Sequence, residues 1–116
     1  MNLIEAKSWA DEMDVKVTVC DLNGIIVYMN KASILGYHKY GGEALVGKSL
    51  MTCHNQISQE RIQEMLELPQ NNSYLIQKEN QKLMIHQIPW NEDGETKGIV
   101  ELSFYLPANF EVKNRD

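Results

Sequence analysis

No apolar run in this chain of 116 residues is long enough for a transmembrane helix. The N-terminus carries acidic residues early and lacks the basic-then-apolar pattern of a secretory signal. Two cysteines, Cys20 and Cys53, stand far apart in sequence and make no disulfide framework. Lysine and arginine total 11 against 16 acidic residues, a net charge of -5, and they are not clustered. That balance argues against a nucleic-acid or anionic-membrane surface. A cytoplasmic protein with no nucleic-acid and no membrane partner is therefore expected.

Catalytic signatures are missing too. The three histidines show no His-Glu-x-x-His spacing, and no second metal-ligand cluster exists, so no metal site is expected. The run Gly47-Lys48-Ser49-Leu50-Met51 lacks the closing glycine of a nucleophile elbow. The carboxylates are scattered on faces that read as solvated. The chain reads as a non-enzyme.

What is present fits one modest core: 43% hydrophobic and 23% charged residues in a length that suits a single domain. Its organising stretch runs from Asp21 to Asn30. Val15, Val17 and Val19 lead up to it, Ile25, Ile26 and Val27 lead away, and Asn23-Gly24 lies between. Asn-Gly tolerates the positive φ values of a type I′ turn, which predicts a β-hairpin there. Asn30 then stands where a short carbonyl side chain can cap a helix beginning at Lys31-Ala32-Ser33.

The run Asp21 to Asn30, then Gly36-Tyr37, then Glu43 to Ser49, resembles the first half of a PAS domain. Pro89, Asn91 to Glu95 and Gly98 resemble that family's closing hairpin. The likeness spans roughly residues 15 to 106. It implies an α+β fold: a five-stranded antiparallel sheet, helices on one face and an N-terminal capping helix on the other. The domain limits that follow are an N-terminal amphipathic helix at 1–14, a PAS core at 15–106 and a flexible tail at 107–116. The resemblance implies a sensory signal-transduction module of the stand-alone bacterial type. It would bind a small molecule or a partner and act through a homodimer or a signalling protein in trans. No output domain is read after Pro107, so action in trans, or membership of something longer, is expected.

Leu3, Ala6, Trp9, Ala10 and Met13 form one stripe of a helix over residues 2–13, suited to covering its own sheet or a second subunit. Gly42, then four residues, then Gly47-Lys48-Ser49 matches a phosphate-loop pattern. No strand leads into it, and Glu43 would sit where phosphates belong, so the match is a coincidence of spacing. Ser58 reads as the cap of a central helix that Pro69 ends, with Ile62, Met65 and Leu66 on its buried face and Ile57 stapled to Ile62. Strands follow at Tyr74–Ile76, Leu83–Ile88 and Ile99–Leu106, and Trp90 reads as packing at the end of the second.

Cys53-His54 is the leading site candidate. A thiolate and an imidazole can bind iron or another transition metal, although adjacent helical residues diverge by about 100° and share one metal poorly. An inert buried cysteine beside a backbone-bonded histidine is the plainer reading. A Cys-His pair at this place resembles one bacterial subgroup of PAS domains. Met65, Met84 and His86 complete the expected ligand-binding set, with both methionines near Cys53 and His54 between helix and sheet. No cofactor is expected. The alternatives are a heme-binding redox or gas sensor using Cys53, His54 or His86, and a ligand-free dimerisation module.

Overall fold

The computed structural model describes residues 9–53 and 56–115; the side chains of Thr52 and Cys53, and the expected helical positions Leu3 and Ala6, fall outside it. Trp9 and Ala10 are helical, and the chain passes from them into β1 (Lys16–Asp21) and β2 (Ile26–Met29). Helix α1 (Lys31–Gly36) follows, then 3₁₀ turns at His38–Tyr40, Gly42–Leu45 and Leu50–Cys53, then helix α2 (Gln56–Glu67). Strands β3 (Asn72–Lys78), β4 (Gln81–Glu92) and β5 (Glu95–Tyr105) close the fold. All strand pairs are antiparallel, in the five-stranded order β2-β1-β5-β4-β3. The first and last strands thus meet at the centre.

Strand alternation divides the side chains between two layers. On the outer face, Val17 pairs with Leu102, Val19 with Val100 and Met84 with Phe104. Ala10 is buried there against Val17, Val19 and Tyr28, with Met13, Trp90 and Leu102 packed around them, so the N-terminal segment covers its own sheet. On the inner face, Cys20, Leu66 and Ile99 form one cluster and Ile26, Met29 and Leu45 another.

Asn30 joins these layers. It is completely buried, and its Oδ1 accepts from the amides of Ser33 and Val17, both at 3.0 Å. Its Nδ2 donates to the carbonyls of Ala10 at 2.9 Å and Val15 at 2.7 Å. The cap of α1 is therefore also the tie between the N-terminal segment, β1 and β2. A buried amide is stable only when every donor and acceptor is met, and these four bonds meet them.

The hairpin between β1 and β2 forms, but not through a type I′ turn. Only Gly24 takes a positive φ, 78°, whereas type I′ needs two such residues. The Asp21 carboxylate decides the geometry by accepting from the amides of Asn23 at 2.9 Å and Ile25 at 3.0 Å. A hairpin turn with two positive φ values is found instead at Asp93-Gly94, at 54° and 79°, between the paired residues Glu92 and Glu95.

The phosphate-loop spacing is absorbed by the sheet. Gly47 N donates to Ile26 O at 2.7 Å, Ile26 N to Lys48 O at 2.9 Å and Leu50 N to Gly24 O at 2.8 Å. Those amides seal the edge of β2, and the interior of the pattern is a 3₁₀ turn with Leu45 buried. Two boundaries differ from expectation. Helix α2 begins at Gln56, which puts Ser58 inside it and leaves Ile57 exposed rather than stapled. Strand β4 runs through Pro89 and Trp90 to Glu92. Pro89 is tolerated because β3 pairs only as far as Gln87, so no neighbour needs the missing amide.

Candidate ligand cavity

The inner face of the sheet is floored by strands and roofed by α2 and the 3₁₀ turns, with a cavity of about 510 Å³ between them. Ile26, Met29, Leu45, Ile62, Met65 and Ile99 supply its apolar wall. The roof is held lightly: of the twelve residues of α2 only Leu66 is buried, and its Cδ1 rests 3.2 Å from where a side chain on Gly24 would begin. An apolar cavity of this size with a few convergent polar groups is the usual form of a small-molecule site.

Those polar groups lie in one row across the sheet. Asn72 on β3 donates through Nδ2 to Gln87 Oε1 on β4 at 3.0 Å, and Gln87 Nε2 donates to Glu101 Oε2 on β5 at 2.8 Å. Thr18 on β1 pairs with Glu101 in register, and its hydroxyl is 2.6 Å from that of Ser33 on α1. Gln87 has a fixed orientation, because its carbonyl is engaged from one side and its amide from the other. Arg61 reaches the cavity from the roof and Tyr74 from β3. Burial raises the pKa of the Tyr74 hydroxyl, the Glu101 carboxylate raises it further, and the Arg61 guanidinium pulls it back.

Cys20 lies in the cavity floor. Burial pushes its thiol up to about 11, so at neutral pH it is a protonated, weakly nucleophilic group.

The expected ligand-binding residues divide. Met65 lines the cavity. Met84 and His86 do not: their register partners Phe104 and Leu102 lie on the outer face, so the sheet separates both from Met65. His86 is engaged there through Nδ1 with the Ser73 hydroxyl of β3. His54 lies outside the described residues, as does the side chain of Cys53. Sequence reasoning missed Arg61, Gln87, Glu101, Asn72 and Thr18. The available signal was the in-phase placement of Gln87 with Leu83 and Ile85, and of Glu101 with Ile99 and Ser103, which puts polar groups on a face that also carries buried apolar residues.

No family model and no curated protein sequence matches the chain. Solved structures do. A PAS domain from Colwellia psychrerythraea is 18% identical with a TM-score of 0.62, over 89% of this chain and 96% of that one. A PAS domain of an HTR-like protein from Haloarcula marismortui is 16% identical with a TM-score of 0.61, over 90% and 94%. The Aer2 receptor from Vibrio cholerae, described as a dual PAS-heme oxygen sensor, is 20% identical with a TM-score of 0.60, over 80% and 95%. Among the described residues no helix is long and apolar enough to cross a membrane. Likeness at such identities speaks for architecture, and together with the strand order, the Asn30 cap and the closing hairpin it gives one conclusion: this chain has the PAS fold.

Proposed function

We propose that the protein is a non-catalytic sensory module that binds a small molecule in the cavity between sheet and helices. The observation that carries this reading is the combination in one cavity of an apolar wall with the Asn72–Gln87–Glu101 row. Ligand entry would reposition α2, whose hold on the core is slight. The change would pass to the outer face through β1, since Thr18 and Cys20 face the cavity while Val17 and Val19 face the N-terminal segment. A ligand shifts such an equilibrium only by binding its two arrangements unequally.

The output surface of this reading is the outer sheet face together with the N-terminal segment, meeting a second copy of the chain. Leu75 is 49% exposed there beside Met84 and Phe104, and Trp9 is 68% exposed. Apolar patches of this kind tend to mark contacts. Native mass spectrometry of freshly purified protein tests both parts together. The expected spectrum is a dimer carrying a small-molecule adduct that denaturation releases. A bare monomer, unchanged by a metabolite extract, would overturn the reading.

The heme alternative is favoured by the Aer2 likeness alone. Among the described residues the cavity is lined by no imidazole, and its Cys20 thiol is held protonated. An axial ligand would have to come from a methionine or tyrosine of the cavity wall, such as Met65 or Tyr74, or from Cys53 or His54. A Soret band in the purified protein that disappears in His54→Ala would establish the gas-sensor reading in place of the one proposed.

A further inference from the structure

The charges in the cavity narrow the chemistry of what it takes. Glu101 is half-buried on β5 and accepts the Gln87 amide at 2.8 Å. Among the described residues no cation lies within ion-pair distance of it. Thr18, its neighbour on β1, has its hydroxyl engaged with Ser33. One neutral donor compensates a partly desolvated carboxylate poorly, and such a group favours a cationic or N–H partner. Arg61 on α2 is the converse. Arg61 lines the same cavity, and among the described residues no carboxylate lies within ion-pair distance of it. Arg61, Glu101 and Tyr74 line one cavity, and both charges act on the Tyr74 hydroxyl, yet no ion pair joins the two. Opposite charges facing one apolar space without joining leave a place for a molecule with both signs.

Resting on the ligand-binding reading above, the geometry points to an amphoteric ligand. Its ammonium or N–H group would meet Glu101, its carboxylate would meet Arg61, and its apolar body would lie against Ile26, Leu45, Ile62 and Met65. The Asn72–Gln87 pair acts as a positioning device, because it turns the Gln87 amide toward Glu101 and so fixes the carboxylate that receives the cation. The guanidinium on the lightly held roof would then draw α2 down when the ligand's carboxylate arrives. This would couple occupancy to closure.

Four related probes separate the contributions: L-tryptophan, tryptamine without the carboxylate, 3-indolepropionate without the ammonium, and indole with neither. Isothermal titration of each is made into the wild-type protein, Glu101→Gln and Arg61→Gln. The Gln variant at 101 keeps an oxygen for Gln87 to donate to, and Arg61 is exposed, so both variants should fold; thermal unfolding checks this. L-Tryptophan is expected to bind about tenfold or more tighter than either singly charged probe, the scale of one charge-assisted hydrogen bond. Glu101→Gln should erase its advantage over 3-indolepropionate, and Arg61→Gln its advantage over tryptamine. Indole binding as tightly as L-tryptophan, unaffected by either variant, would overturn the amphoteric ligand while leaving a ligand cavity in place. A loss of thermal stability on either substitution, with no change in relative probe affinity, would show that the two charges serve each other and would overturn it too. No heat from any probe and no adduct in the native mass spectrum would overturn this inference and the ligand-binding function together.

Discussion

The two ends of the sheet are built to different standards. At the β2 end the edge strand is almost wholly buried, the outward amide and carbonyl of Ile26 are taken by Lys48 and Gly47, and Asn30 bolts it to β1, α1 and the N-terminal segment. At the other end β3 pairs with β4 alone, six of its seven residues are exposed, and the helix above the sheet buries one residue. The cavity lies between them. Local stability follows buried contacts and protected backbone bonds, so opening should be confined to the β3–α2 side while the β1–β2 side serves as anchor. The sensory function proposed above would need both properties in one small domain.

That contrast breaks most severely at Gly98. A Cβ there would stand 1.8 Å from the carbonyl oxygen of Cys20, inside the central β1–β5 pair. Gly98→Ala should cost more than about 4 kcal/mol or abolish cooperative unfolding, read in urea titration. Gly94→Ala is the control: its φ is +79° but nothing lies within 4 Å, so only the backbone penalty of about 1–2 kcal/mol is expected. Equal losses at the two sites would mean that the β1–β5 pair is no tighter than the closing turn.

Asn30→Ala comes next. It strands the amides of Val17 and Ser33 and the carbonyls of Ala10 and Val15 in a buried place. A loss of about 3 kcal/mol is expected, since each unmet buried group costs on the order of 1–3 kcal/mol and some will find water. Amide exchange should accelerate across β1 and β2 before it changes in β3. A variant as stable as wild type would remove Asn30 as the anchor.

Alkaline pH should weaken the anchored end as well. Burial raises the Cys20 thiol from 9.0 to about 11, and burial with the Asp11 carboxylate raises the Tyr28 hydroxyl from 10.0 to about 12. Both groups are neutral when protonated, and both folded values lie above the unfolded ones. Their contribution is complete below pH 9 and is lost as pH climbs through roughly 9 to 12, because the unfolded chain releases these protons first. Unfolding midpoints between pH 8 and 11 should therefore fall, and the slope should flatten in Cys20→Ala. Tyr28→Phe also removes the 3.2 Å bond to Asp11 and should flatten the upper part of the curve. An unchanged slope in both variants would show that neither group titrates differently on folding.

The anchored end was also the legible end. Asn30 as a helix cap and the β1–β2 hairpin are signalled by residues within a few positions of one another, as is the Asp93-Gly94 turn that joins β4 to β5. The cavity was not legible for the opposite reason. Arg61 and Glu101 line one cavity only when α2 docks over the sheet, and nothing local to either residue encodes that. Met84 and His86 were misplaced because β4 is apolar on both faces. Leu83 and Ile85 point inward and Met84 and Ile88 outward, so alternation alone does not tell which set lines the cavity until β5 fixes the phase. The choice of turn at Asn23-Gly24 failed on the Asp21 carboxylate, a competitor that the Asn-Gly rule leaves out.

The smallest expected change in stability belongs to the open end, and it bears on assembly. Leu75 sits on the outer face of the edge strand, 49% exposed, opposite Met84. A surface substitution there touches no buried group, so Leu75→Lys should alter the unfolding free energy by no more than about 0.5 kcal/mol. A lysine on an exposed strand edge nevertheless opposes docking, because its charge would have to be desolvated against another apolar surface. Size-exclusion chromatography at micromolar concentration should therefore show a dimer for wild type and a monomer for Leu75→Lys, with matching unfolding curves once both are diluted to monomer. Were both to elute as dimers, β3 would lie outside the interface and the N-terminal segment, with Trp9 exposed, would carry it alone. Were both to elute as monomers, the outer face would not join copies of this chain. The lightly held end of the sheet would then serve ligand entry without also serving assembly.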